Sequence, residues 1–264
     1  MKTGLIIIGD EILSGKRQDK HLGKFIELLS ARGMALDWAQ YLADDRDHIS
    51  AQLRGAFASG DLVICCGGIG ATPDDHTRQA AAAALGRELV LHPEARELIW
   101  QRIQQMAAEQ GASLDPEHPD TVRRFQMGVF PAGAAIIPNP YNRIPGFSVG
   151  TVYFVPGFPV MAHPMMEWVL DTHHADLQRQ VGVQEKSLIV QGAMEASLTP
   201  LMEALEARFA GIKVFSLPSV DHPKWGRHIE LGVKGEAAQL DAAFAALKQG
   251  VLQFGAEISA EMVR

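Results

Sequence analysis

One continuous stretch restricts the fold more than any other. Asp61–Cys66 is a short apolar, β-rich run that ends in Gly67-Gly68-Ile69-Gly70 and leads into an alanine-rich segment reaching Leu85 and Gly86. A run that is apolar at successive positions needs cover on both faces, so it reads as a buried central strand, and the glycine turn delivers the chain into a helix. That is one unit of an open α/β sheet. Thr72-Pro73-Asp74-Asp75 has the pattern of the helix start: Thr at the cap, Pro at the first helical position, and an acid three residues after the Thr.

The neighbouring segments repeat the rhythm. Leu5–Ile8 is a first strand, Leu22, Phe25, Ile26 and Leu29 stand at helical spacing before Gly33, and Ile49, Leu53, Ala56 and Phe57 mark another helix. The alternation predicts a mostly parallel sheet covered by helices. Further on, Leu98, Ile99, Ile103 and Met106 predict a helix and Gly111–Pro119 a loop. Ala134–Ile137 and Thr151–Val155 predict strands that end in Pro138-Asn139-Pro140 and Pro156-Gly157-Phe158-Pro159. Val160–Leu170 follows as a helix, and the polar His173-His174-Ala175-Asp176 leads out of the first domain.

The remainder has the order strand (Ser187–Gln191), helix (Leu198, Leu201, Met202, Leu205), strand (Ile212–Leu217), strand (Arg227–Val233), helix (Leu240, Phe244, Leu247), strand (Ala256–Ser259). That βαββαβ order is the ferredoxin-like split βαβ unit. The expected division is an α/β domain over 1–175 and a smaller α+β domain over 185–264.

Composition narrows the class of ligand. The 264 residues carry 24 Lys+Arg against 31 Asp+Glu, a net charge of −7, with no block of basic residues. This argues against a nucleic-acid or membrane partner, since phosphate backbones and anionic lipids need clustered positive charge. The apolar stretch after the first residues is only Leu5–Ile8, far short of a signal-peptide core or membrane span, so a cytoplasmic location is expected. Cys65 and Cys66, the only cysteines, are adjacent in an apolar run and are expected to pack in the core of a protein kept reduced.

In open α/β sheets, ligands bind beyond the carboxyl ends of strands. Gly9-Asp10-Glu11, the Gly67–Gly70 loop with Asp74-Asp75, and Pro156-Gly157 occupy such positions. Closely spaced glycines let backbone N–H groups approach an anion, and the following helix offers its positive end. The nearby carboxylates would repel that anion unless a divalent cation bridged them, and hard oxygen ligands suit Mg²⁺ or Mn²⁺. Neither a dinucleotide fingerprint nor a Walker lysine is present. Arg143, in a loop after a strand, is the better basic candidate for a pyrophosphate, and Lys16 a weaker one. Each feature has a plainer reading: Asp74 and Asp75 as helix-start acids, Asp10 and Glu11 as a strand-end turn, Asn139-Pro140 and Pro156-Gly157 as turn formers. His173, His174, His222 and His228 lack metal spacing and read as surface or linker residues.

Gly9-Asp10-Glu11-Ile12-Leu13-Ser14-Gly15, Asp44-Asp45, the string Gly67–Arg78, Asn139-Pro140 and Val155-Pro156-Gly157-Phe158-Pro159 together resemble the molybdopterin-binding (molybdenum cofactor biosynthesis) domain family. The closest version is the N-terminal region in its competence/damage-inducible branch. Gly192-Ala193-Met194-Glu195 is similar to an element of that branch's middle region. The resemblance implies a three-layer α/β/α domain, a homo-oligomer (dimer or trimer), and a site for a pterin or nucleotide with a divalent metal. In the competence branch the associated activity is ADP-ribose pyrophosphatase, and FAD hydrolysis in relatives fused to FAD synthetases; molybdenum-cofactor members adenylylate molybdopterin. It also implies that the amidohydrolase domain of full-length members is absent. Ala71, Lys20-His21 and the loop Asn139-Pro140-Tyr141-Asn142-Arg143 depart from the branch's usual residues.

The expectation is therefore hydrolysis of a nucleotide pyrophosphate such as ADP-ribose or FAD with Mg²⁺, Mn²⁺ or Co²⁺. Asp44, Asp74 and Asp75 would hold the metal, with Asp44, Asp75 and Glu11 as catalytic groups. Gly9, Asp10, Gly67, Gly68, Gly70, Thr72, Thr77, Asn139, Arg143, Pro156 and Gly157 would contact substrate. Adenylylation of molybdopterin and a non-catalytic nucleotide- or pterin-binding protein are the alternatives.

Overall fold

The structure, a computed structural model, describes residues 1–110, 114–178 and 184–263. The chain divides into two compact units, Met1–Gln178 and Arg179–Arg264. Part of the loop expected before Pro119 lies outside the described residues.

The first unit runs β1 (Thr3–Ile8), α1 (Asp10–Leu13), α2 (His21–Ser30), β2 (Trp38–Leu42), α3 (Arg46–Ser59), β3 (Leu62–Cys66), α4 (Thr77–Leu85), β4 (Leu89–Leu91) and α5 (Pro93–Gln110). It continues with α6 (Pro119–Phe125), β5 (Val129–Pro131), β6 (Ala135–Ile137), β7 (Gly146–Val149), β8 (Val152–Val155) and α7 (Pro159–His173). Six strands form one sheet in the order β2-β1-β3-β8-β7-β6. The first four are parallel to one another, while β7 runs antiparallel to β8 and β6 antiparallel to β7. β4 and β5 pair separately.

Side-chain alternation sorts the sheet into two buried faces. Ile6, Ile8, Val63, Cys65 and Phe154 pack with Ile49 and Leu53 of α3 and Ala80 and Ala81 of α4. Leu5, Ile7, Ile64, Cys66 and Val155 pack with Phe25 and Leu29 of α2 and Met165 and Val169 of α7. These are the two outer layers of an α/β/α sandwich. Cys65 and Cys66 thus fall on opposite faces, and burial pushes both thiols well above their ordinary pKa, leaving them as packing groups.

Two local expectations are corrected. Thr72–Asp75 is a closed turn rather than a helix start: the Asp75 N–H donates to the Thr72 carbonyl, and Thr72 N–H donates to Asp75 Oδ2 at 2.8 Å. The acid is thereby engaged within its own turn, and α4 begins at Thr77. His174 is not a linker residue; it is buried, with Nε2 2.9 Å from the Tyr153 hydroxyl.

The second unit runs β9 (Gln184–Gln191), α8 (Glu195–Arg208), β10 (Lys213–His222), β11 (Gly226–Gly235), α9 (Ala237–Gln253) and β12 (Glu257–Val263). Its sheet, ordered β10-β11-β9-β12, is antiparallel throughout. Leu198 and Leu205 of α8 and Leu240, Leu247 and Val251 of α9 pack on Leu188, Val190, Leu231 and Val233. His228, expected at the surface, is buried on β11. Among the described residues no helix is long and apolar enough to cross a membrane.

Candidate functional site

Because β1, β2, β3 and β8 are parallel, their carboxyl ends open along one edge of the sheet, and the segments that follow them meet there. They border a cleft of about 550 Å³ lined by Gly9 and Glu11 after β1, Asp44 after β2, Gly67–Thr72 with Asp74 and Asp75 after β3, and Pro156, Gly157 and Phe158 after β8. Asn139, Asn142, Ile144 and Met161 close the other side.

The glycine loop is fixed by contacts a side chain would abolish. Gly67 adopts φ +102°, donates its N–H to Val155 O at 3.0 Å, and lies where an added Cβ would sit 2.3 Å from Ile8 O. Gly68 adopts φ +68°, and an added Cβ would meet Thr77 Oγ1 at 2.2 Å. Thr77 itself is fully buried and does not line the cleft. Its hydroxyl donates to Gly67 O at 2.9 Å and its N–H to Gly68 O at 3.0 Å. Thr77 therefore shapes the loop from behind instead of touching a ligand. Arg78, quoted in the sequence motif without a role, does the same: it is buried and donates to the carbonyls of Gly70 and Gln126.

Opposite the loop, acids crowd together. Asp10 N–H donates to Asp44 Oδ2 at 2.9 Å, and Asp44 N–H returns to Asp10 Oδ1 at 3.3 Å. Asp44's carboxyl is raised above its ordinary range by partial burial, and Asp10, Glu11 and Asp74 add to the rise. Asp45, beside it, caps α3 by accepting the His48 N–H at 2.7 Å. The exposed Asp74 carboxyl is held below its ordinary range by the Thr72 hydroxyl and its own backbone N–H. Among the described residues no group of three or more His, Cys, Asp or Glu side chains converges as a metal cage; the expected trio of Asp44, Asp74 and Asp75 lines the cleft without forming one.

Asn139 lines the cleft, but its amide is engaged locally. Nδ2 donates to Asn142 Oδ1 and to Ile144 O, both at 2.9 Å, and Oδ1 accepts the Tyr141 N–H. Arg143 does not line this cleft. It borders a neighbouring apolar hollow with Leu98, Gln101, Pro140, Pro164 and Trp168, and its guanidinium reaches Gln101 Oε1 at 3.4 Å. The basic side chain that does line the cleft is Arg17, whose N–H donates to Glu11 O at 2.9 Å. Arg17 stands two residues after Gly15, the end of the Gly9–Gly15 motif, and that nearness is the available signal. Gly157 is held by His21, a buried residue whose Nε2 donates to the Gly157 carbonyl at 3.0 Å.

The family model described as "Probable molybdopterin binding domain" matches residues 4–175. A CinA-like protein of Anaeromyxobacter dehalogenans (strain 2CP-C) is 30% identical over 235 residues, which are 85% of this chain and 54% of that protein. The chain spans about half the length of the CinA-like relatives it matches. A protein of Pyrobaculum calidifontis is 28% identical over 257 residues, 94% of each chain. The crystal structure of the protein CinA, of unknown function, from Thermoplasma acidophilum is similar at TM-score 0.53 and 27% identity, covering 68% of this chain and 100% of that one. With its first unit carrying that model across the strands and loops that build the cleft, the chain belongs to the molybdopterin-binding domain family.

Proposed function

We propose that the first unit hydrolyses a nucleotide pyrophosphate of the ADP-ribose or FAD class with a divalent cation, Mg²⁺, Mn²⁺ or Co²⁺. The observation that carries this reading is the placement, across one cleft, of the Gly67–Gly70 loop and the crowded acids Glu11, Asp44 and Asp74. The donors fit such an ion. Carboxylate oxygens are hard ligands, Asp10, Glu11 and Asp74 set negative charge around the partly buried Asp44 that a cation would relieve, and Mg²⁺ is usually held by one or two carboxylates with phosphate and water oxygens completing the shell. A preformed cage of three protein ligands is not needed for that arrangement. When bound, the ion would neutralise phosphate charge and acidify water.

The chain's own groups divide the remaining work. Asp44 and Asp74 would hold the ion, and Asp75 keeps the loop closed through Thr72. The amides of residues 68–70 and the Arg17 guanidinium would receive phosphate oxygens, the Gly67 amide being engaged with Val155 O. Glu11 would accept one proton from the attacking water as its oxygen bonds to phosphorus and the bridging P–O bond breaks. Incubation with ADP-ribose and with FAD, each with the three metals, should release AMP. Turnover of neither would overturn the proposal.

The family model's own description favours one other reading, binding of molybdopterin, with its adenylylation as the accompanying activity proposed. It predicts ATP consumption that depends on a phosphorylated pterin. Binding of nucleotide or pterin with no turnover under any metal would make the unit a binding module. Assembly as a dimer or trimer is part of the proposal and is read by light scattering on the eluting protein.

A further inference from the structure

The cleft has a second character at the β8 end. Phe158 lines it, yet its side chain is 56% exposed, beside the apolar lining of Pro156, Ile144 and Met161. An exposed aromatic ring is ordinary on a mobile loop, but the backbone under this one is pinned at Val155, Gly157 and Phe158. Val155 O accepts the Gly67 N–H at 3.0 Å, and Gly157 O accepts from His21 Nε2, a side chain 4% exposed. Phe158 O accepts N–H groups of the first turn of α7, from Met161 at 3.0 Å and Ala162 at 2.8 Å. The strap is also in backbone contact with the anion loop, since a Cβ built on Gly157 would lie 3.5 Å from Gly67 Cα. A strap hydrogen-bonded to the glycine loop at Val155 thus displays an uncovered ring on the lining of the same cleft.

We infer that Phe158 is the platform on which the planar ring of the ligand stacks, so that the cleft selects phosphate compounds bearing a heteroaromatic ring over bare phosphates. The inference rests on the phosphate reading of the Gly67–Gly70 loop and extends it to the other half of the ligand. Stacking on an aromatic face is tolerant of ring identity, because every base has a π face. Fixing the strap before binding lowers the ordering cost and makes the ring a specificity element. In this role Phe158 meets the ligand's ring and takes no part in the breaking of the P–O bond, so it positions the ligand.

Equilibrium binding separates the two halves. ADP and inorganic pyrophosphate, each with Mg²⁺, are titrated by calorimetry into the intact chain and into Phe158→Ala, Phe158→Leu and Phe158→Trp, with thermal unfolding run on each. The Ala and Leu variants should bind ADP roughly 5- to 100-fold more weakly, bind pyrophosphate as the parent does, and unfold at the parent temperature, while Trp restores ADP affinity. Unchanged ADP affinity in Phe158→Leu overturns the stacking role while leaving the loop's role intact. Equal weakening of both ligands also overturns it. Failure of both ligands to bind the parent chain overturns the phosphate reading together with this one.

Discussion

Asp10 and Asp44 clasp one another through their backbones, each amide donating to the other's carboxylate, although the two carboxylates repel. Two amide donors hold together charges that would otherwise separate. Asp44's folded pKa is raised, so its protonated form is favoured by folding. That contribution is fully present below the unfolded carboxylate pKa and lost as pH rises through the raised folded value. At neutral pH the ionised group therefore works against stability. Asp44→Asn keeps an acceptor for the Asp10 amide and removes the repulsion, so it should stabilise the unit by about 0.5 kcal/mol, a figure discounted for solvent screening. Turnover should fall at least about 100-fold if Asp44 holds the cation. Thermal unfolding at pH 7 checks the first part, and a destabilised variant would contradict it.

Glycine substitutions separate loop geometry from general strain. Gly68→Ala must place a methyl against Thr77 Oγ1 at φ +68°, and Thr77 cannot yield without releasing Gly67 O. A cost of about 2–4 kcal/mol and loss of pyrophosphate binding are expected. Gly15→Ala has a similar φ of +72° but open space around it, so only the conformational cost of about 1–2 kcal/mol should appear, with binding intact. Parallel denaturant unfolding and calorimetry on the pair would expose an error in this assignment if both variants lost binding alike.

These residues also mark what was legible in the chain. The continuous apolar runs Leu5–Ile8 and Leu62–Cys66, buried on both faces, specify a covered parallel sheet, and the glycines after β3 must serve a tight turn whichever ligand is bound. The βαββαβ order of the second unit is readable for the same reason, since each element carries its own hydrophobic stripe. Thr72–Asp75 misleads because a Thr with an acid three residues later suits both a helix cap and a closed turn, and only the wider loop decides. Arg143 and Arg17 are both loop arginines in sequence. Which one faces the cleft depends on the fold of residues 138–145, where Asn139 binds three neighbours and sends Arg143 toward Gln101.

Two imidazoles, the buried His174 and the partly buried His163, give the first unit an acid-sensitive stability. His163 is lowered in pKa chiefly by burial, with His21 and Lys24 adding to the fall while a hydrogen bond to the Lys20 backbone and the Asp19 charge oppose it. His174 is lowered chiefly by burial, with His173 adding and Asp176 opposing. A depressed folded pKa means that the unfolded chain takes up the proton first. The stability from neutral His163 and His174 is present above the unfolded imidazole pKa and is lost as pH falls through the folded values. The unfolding temperature should therefore drop from pH 7.5 to pH 5. Replacing both histidines with Asn should flatten that slope while lowering stability at pH 7.5, because the Tyr153 hydroxyl contact is altered. An unchanged slope in the double variant would assign the acid sensitivity to other groups.

Arg78 supplies the strictest test of how the glycine loop keeps its shape. Its guanidinium spans two carbonyls, Gly70 O on the loop and Gln126 O after α6, from a position that is 6% exposed. Burial lowers its pKa while the nearby Asp75 carboxylate opposes that fall, so the charge is retained against a desolvation cost. Arg78→Lys preserves the charge but offers a single ammonium in place of a planar fork, leaving one of the two carbonyls without its donor. Arg78→Met removes charge and donors together and fills similar space. Lysine should cost about 1–3 kcal/mol through the orphaned carbonyl. Methionine, which leaves both carbonyls and the Asp75 charge uncompensated, should cost more, about 3–5 kcal/mol. Because Arg78 does not line the cleft, the lysine variant should lose affinity for pyrophosphate only as far as Gly70 moves, and Asp75→Asn should narrow the gap between the two Arg78 variants. A double-mutant cycle at residues 75 and 78, read by denaturant unfolding, measures that coupling. A methionine variant as stable as the parent would mean that the loop is held by Thr77 and the glycines alone.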